Sequence, residues 1–121
     1  MYLNQLTIIG FTGQDAEFHF TSNGTPETTV SVATKESWKN AAGDWQSRTD
    51  WHRVVAFGKL AEYAKTLAKG THVLVQGALR SREYEKDGIS HRVYELRADA
   101  IAKLDRAERR DERATGESLD G

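Results

Sequence analysis

The sequence predicts an all-β fold, a small closed barrel of five strands that carries one short helix. Three observations lead there. Most of the chain places β-branched and aromatic residues in alternation with polar ones, the period of a half-buried strand. Glycines at positions 10 and 13 interrupt the first of these runs, as they do where a strand bends sharply around a barrel. Only one segment has a helical period. With 121 residues the chain is long enough for a single core and too short for two.

Taken in order, Leu3 to about Phe20 reads as a long first strand broken by Gly10 and Gly13. The cluster Ser22-Asn-Gly-Thr-Pro26 is a turn, and Thr28-Thr-Val-Ser-Val-Ala-Thr34 is a second strand that returns by a hairpin. A polar stretch from Glu36 to about Ser47 reads as a loop holding Trp38, Asn40-Ala-Ala-Gly-Asp44 and Trp45. The third strand runs from about Arg48 to Phe57. Leu60, Ala61, Tyr63, Ala64, Leu67 and Ala68 then recur at helical spacing, with Gly70 where a C-terminal cap belongs. Tyr63 falls on the apolar stripe of that helix and is expected in the core. Thr71 to Glu85, a turn at Lys86-Asp-Gly88, and Ile89 to about Leu104 form a last long hairpin, Asp-Gly being a strong turn signal. Whether Tyr94 or Leu96 faces inward is open at this level. Five strands with the helix between the third and fourth describe a Greek-key barrel of the oligonucleotide/oligosaccharide-binding type. Residues 1–104 are the expected domain, and the charged segment 105–121 is expected to be a frayed helix or a disordered tail.

Composition narrows the function. The chain has no cysteine, which removes disulfides, thiol catalysis and Cys-based zinc sites and suits a reducing compartment. Met1-Tyr-Leu-Asn-Gln5 lacks the basic and apolar regions of a secretory signal, and no stretch approaches the ~20 apolar residues of a membrane span, so a cytoplasmic location is expected. Hydrophobic residues are 38% and mean hydropathy is -0.66, which implies either a short disordered segment, supplied by the C-terminus, or a very polar surface. Net charge is -1, with 13 basic and 12 acidic residues in 1–104 and 4 and 6 in 105–121. Recognition of a polyanion must therefore rest on a local basic groove. The four histidines (19, 52, 72, 91) and Asp50 show neither His-x-His nor His-Glu-x-x-His spacing, which argues against a metal centre or an enzyme.

The chemistry concentrates in Trp51-His-Arg-Val-Val-Ala-Phe57. Alternation puts Trp51, Arg53, Val55 and Phe57 on one face of a strand and turns His52 to the other. In Leu79-Arg-Ser-Arg-Glu-Tyr84, Arg80, Arg82 and Tyr84 also share a face. A single aromatic in a strand is ordinarily core. One that shares its face with an arginine is different, because burying the cation is costly and the face is therefore solvated. Trp38 stands in polar sequence without periodicity, which also favours a contact role. Aromatics interleaved with cations suit an unpaired nucleic-acid strand, whose bases need flat apolar surfaces and whose phosphates need positive charge.

The segments Thr34-Lys-Glu-Ser-Trp38, Thr49-Asp-Trp-His-Arg-Val-Val-Ala-Phe-Gly-Lys-Leu-Ala-Glu62, Lys69-Gly-Thr-His-Val-Leu-Val-Gln-Gly77 and Leu79-Arg-Ser-Arg-Glu-Tyr84 closely resemble the bacterial and mitochondrial single-stranded DNA-binding proteins. The resemblance runs from about Asn4 to Leu104. It implies an oligonucleotide-binding fold, a homotetramer, and binding and protection of single-stranded DNA in replication, recombination and repair, with no cofactor or metal. By the same resemblance the stacking aromatics fall on Trp38, Trp51, Phe57 and Tyr84, the last often tryptophan in relatives. The phosphate-contacting cations fall on Arg53, Arg80 and Arg82, with Lys35, Lys59, Lys39 and Arg48 along the loops, and His52 corresponds to a subunit-interface histidine. Two features depart from the family pattern. Long members continue into a linker with an acidic tip that recruits replication and repair proteins, whereas this sequence ends at Ser118-Leu-Asp-Gly121 and its only proline is Pro26. Trp45 has no role in the family pattern. The competing expectation is a barrel of the same fold that binds a protein or RNA; stacking surfaces alone do not distinguish the sugar.

Overall fold

A computed structural model describes residues 1–104, so the expectation for 105–121 lies outside the described residues. Six strands and one helix follow in order: β1 (Leu6–Thr12), β2 (Glu17–Phe20), β3 (Pro26–Lys39), β4 (Trp45–Phe57), α1 (Lys59–Ala64), β5 (His72–Lys86) and β6 (Ile89–Lys103). The sheet order β1-β5-β6-β4-β3-β2 is closed by β1 pairing with β3 as well as with β5, which leaves a five-stranded barrel with β2 added to the outer edge of β3. β1 changes partner at its glycine. Gly10 stands opposite Val73 of β5, and Phe11 is opposite both His72 of β5 and Ala33 of β3. A Cβ at Gly10 would lie 2.1 Å from the Ala33 carbonyl oxygen, so only glycine permits this approach. The expected long first strand is thus two strands, and Met1–Gln5 stand outside the ladder.

The larger correction concerns Glu36 to Ser47. Instead of a loop, β3 and β4 stay paired without a register shift from Glu27↔Phe57 out to Lys39↔Trp45, forming a two-stranded arm that projects from the barrel. Asn40 closes its tip, its Oδ1 accepting from the amides of Ala42 (3.0 Å) and Asp44 (2.9 Å), with Gly43 at φ 89°. Trp38 and Trp45 are therefore strand residues. The β5–β6 hairpin turns through Asp87 (φ 56°) and Gly88 (φ 77°), the two positive values that a type I′ turn requires.

Inside the barrel, Ile8, Val30, Val32, Val54, Ala56, Val73, Val75, Leu96 and Ala98 form one core, which Ala61, Ala64 and Leu67 complete from α1 and the turn after it. The helix is shorter than its sequence period. After Ala64 the chain tightens into bonds from Thr66 N–H to the Tyr63 carbonyl and from Leu67 N–H to the Ala64 carbonyl, so Leu67 reaches the core from a turn. Tyr63 is 37% exposed and not core as expected; the small Ala61 and Ala64 make the contact instead. Thr28 anchors the helix from the buried face of β3, its hydroxyl donating to the Ala61 carbonyl at 2.7 Å. Thr28→Val keeps the volume and removes this bond, and is expected to lower stability by about 1 kcal/mol, read as the midpoint of urea unfolding. Among the described residues, no helix is long and apolar enough to cross a membrane.

Candidate nucleic-acid interface

The outer face of β4 carries the residues that the sequence places together. Val54 and Ala56 point into the core, while Trp51, Arg53, Val55 and Phe57 face outward across from Ala33, Ser31, Thr29 and Glu27 of β3. Trp51 is 61% exposed. Val55 lies on this face yet is fully covered and belongs to no part of the core cluster, so it forms the floor under its longer neighbours. Beyond the seam where β4 runs parallel to β6, Arg97 stands beside Val55 and holds its guanidinium carbon 4.4 Å from the Phe57 ring centroid.

β5 completes the surface. Its ladder with β6 sets Arg80 opposite Glu95, Arg82 opposite Val93 and Tyr84 opposite His91, whose ring stacks on Tyr84 at 5.2 Å between centroids and 21° between planes. Glu95 is the hinge of the arrangement. Its Oε1 accepts from Arg53 Nε (3.1 Å) and Arg82 Nη2 (3.4 Å), and its side chain is only 11% exposed. Two strands that are distant in sequence are thereby tied at their cations. The resulting groove, about 580 Å³, is lined by Arg53, Phe57, Arg80, Arg82, Glu95 and Arg97, and His19 and Glu27, paired at 3.0 Å, close one side. It continues past Tyr84 and Val93. Arg97 and Glu95 were not singled out in the sequence, because only the strand register brings them beside β4.

Trp51 packs its six-membered ring against Gly13, where a Cβ would lie 2.2 Å from Cζ3. The glycine read as a bend also leaves room for the indole. Gly13→Ala must displace an exposed ring rather than backbone, so it is expected to weaken oligonucleotide binding while moving the melting temperature little, a pair of effects that a titration and a thermal scan separate.

The structure brings Trp51, Arg53, Phe57, Arg80, Arg82 and Tyr84 onto one surface. The other expected residues lie elsewhere. Lys59 opens α1 and does not line the groove. Trp38, opposite Gln46, is five residues from Ala33 along an unbroken ladder, and so it projects from the face of the arm opposite to Trp51. Lys35 and Lys39 project from Trp51's face, and Arg48, bonded to Asp50 at 3.3 Å, from the Trp38 face. His52 also points away from Trp51, with Nε2 2.9 Å from the Thr34 hydroxyl. No group of three or more His, Asp or Glu side chains able to hold a metal occurs among the described residues.

A closed five-stranded barrel whose outer face interleaves aromatic rings with guanidinium groups defines a nucleic-acid-binding barrel of the oligonucleotide-binding class. The chain belongs to the single-strand binding protein family, whose model matches residues 3–104. It is similar to the single-stranded DNA-binding protein 1 of Xylella fastidiosa (strain 9a5c), with 42% identity over 105 residues, spanning 84% of this chain and 77% of that one. Among solved structures it resembles the Plasmodium falciparum SSB in complex with single-stranded DNA (TM-score 0.78, 28% identity, 86% of this chain and 96% of the other). It also resembles a deletion mutant of the single-stranded DNA binding protein from Thermus aquaticus (TM-score 0.74, 27% identity, 97% of this chain and 54% of the other).

Proposed function

We propose that this chain binds single-stranded DNA with little regard to sequence, coating and protecting exposed strands during replication, recombination and repair. The observation that carries the reading is the single groove in which Phe57 and Tyr84, with Trp51 alongside, alternate with Arg53, Arg80, Arg82 and Arg97. Bases stack on the rings and phosphates meet the guanidinium groups. Lys35 and Lys59 lie further out, and Trp38 meets a strand that wraps around the edge of the arm. The binding module is residues 1–104, a Greek-key barrel, and its work in the nucleoid requires no catalysis.

The binding unit is a homotetramer in this reading, with His52 at a subunit contact. The apolar outer side chains of β1, Ile9 (52% exposed) and Phe11 (53%), support self-association, since a monomer leaves them in water. Light scattering at micromolar concentration is expected to give roughly 54 kDa, four times the 13.6 kDa chain; a mass of one chain contradicts the tetramer.

Fluorescence anisotropy with a labelled thymidine oligomer, a duplex and a uridine oligomer of equal length tests the function. Binding is expected to favour the single DNA strand and to weaken with salt, at a log–log slope of about -3 for four phosphate contacts. Equal or tighter binding of the duplex overturns the proposal, and preference for the uridine oligomer replaces it with an RNA-binding role.

A further inference from the structure

We infer that the β3–β4 arm carries an additional stacking step for the DNA strand, with Trp45 as the platform and Lys39 and Lys35 as its phosphate partners. The inference rests on the proposed function and extends its path outward. In an unbroken ladder, residues directly opposite each other share a face, and the face alternates at each step. From Trp51 outward, one face of the arm therefore reads Trp51 with Ala33, Thr49 with Lys35, Ser47 with Ser37, and Trp45 with Lys39. The opposite face reads Asp50 with Thr34, Arg48 with Glu36, and Gln46 with Trp38. The first carries two lysines and no acid, and the second carries two acids against one arginine. Of the two faces, the Trp45 face is the more complementary to a phosphate chain.

Trp45 is also held in place. Its partner Lys39 lies with Nζ 5.6 Å from the ring centroid, and Asn40 locks the turn immediately beyond the pair. The ring is 69% exposed, with a cation already positioned beside it. An indole of this size left in water at the tip of a polar arm contributes nothing to the core, and a base stacked on it would remove that surface from solvent. Trp45 lies six steps along the strand from Trp51, about 20 Å on the same face, so it is reached only by an oligomer long enough to leave the barrel groove.

The test compares Trp45→Ala, Trp45→Phe and Trp51→Ala with the wild-type chain, using thymidine oligomers of about 35 and about 8 nucleotides. A further variant with Trp38→Phe and Trp51→Phe leaves Trp45 as the sole indole of the three in the chain. Trp45→Ala is expected to weaken binding of the long oligomer by about 5- to 150-fold and to leave the short one unchanged. Trp45→Phe retains most of the long-oligomer affinity, and the sole-indole variant is quenched by saturating long oligomer. Unchanged long-oligomer affinity in Trp45→Ala together with an unquenched Trp45 overturns the inference; if Trp51→Ala still weakens both lengths, the proposed function stands without it. If the wild-type chain shows no preference for a single strand, both fall together.

Discussion

Trp51→Ala is expected to lower the affinity for a thymidine oligomer by about 1–3 kcal/mol, the contribution of one base stacked on an aromatic ring, and to leave thermal stability nearly unchanged. The stability half follows from position. The indole is 61% exposed, stands across from the small Ala33 and rests on Gly13, so its removal opens no core cavity. The binding half follows from what surrounds the ring, since Arg53 on the same face and Arg82 across the seam are both tied to Glu95 and bring positive charge beside it. Because tryptophan neutralises no phosphate, the salt slope of the variant should match that of the wild type, whereas losing a guanidinium should flatten it by about 0.7. Trp51→Phe should recover most of the affinity. A variant with unaltered binding removes Trp51 from the site.

Leu96→Ala is the core substitution with the largest expected cost, about 2–5 kcal/mol. Leu96 is 2% exposed and stands opposite Val54 at the seam where β6 meets β4, a parallel contact whose register consists of Val54↔Leu96 and Val55↔Arg97. So short a ladder depends on side-chain packing to stay closed. The two neighbours of Leu96 in the chain are Glu95 and Arg97, both lining the groove, so loosening the seam should weaken DNA binding as well as folding. Urea unfolding at one fixed protein concentration should show an earlier midpoint with an unchanged slope. A loss below 1 kcal/mol would mean that the barrel closes by other contacts.

The parts of this molecule that were legible in its sequence are those where one face is wet and the other buried. Trp51, Arg53 and Phe57 on β4, and Arg80, Arg82 and Tyr84 on β5, sort correctly by alternation alone, and Asp87-Gly88 specifies its turn through the backbone conformation it favours. The arm escaped because both of its faces meet water: Glu36-Ser-Trp-Lys39 and Trp45-Gln-Ser47 have no apolar side to mark a strand, and Asn40-Ala-Ala-Gly-Asp44 has loop composition. With no strand assigned, Trp38 and Trp45 had no faces, and the division that separates them appears only in the ladder. Glu95 and Arg97 escaped for a different reason. They lie about 40 residues from Arg53 and Phe57 in the chain, and a parallel register between such segments is fixed by packing around Leu96 rather than by any local signal. Tyr63 shows the converse error, a residue with the right helical spacing whose stripe is narrowed because Ala61 and Ala64 suffice to seal the barrel end.

Intrinsic tryptophan fluorescence, titrated with a thymidine oligomer of about 35 nucleotides and with a duplex of equal length at low and high salt, reads contact between the indoles and the bases of a bound strand. Strong quenching by the single strand alone, weaker at high salt, is the predicted result, because it requires indoles in contact with bases and phosphates in contact with cations. No quenching by either oligomer, or equal quenching by both, would contradict the account and assign the exposed rings to a protein contact instead.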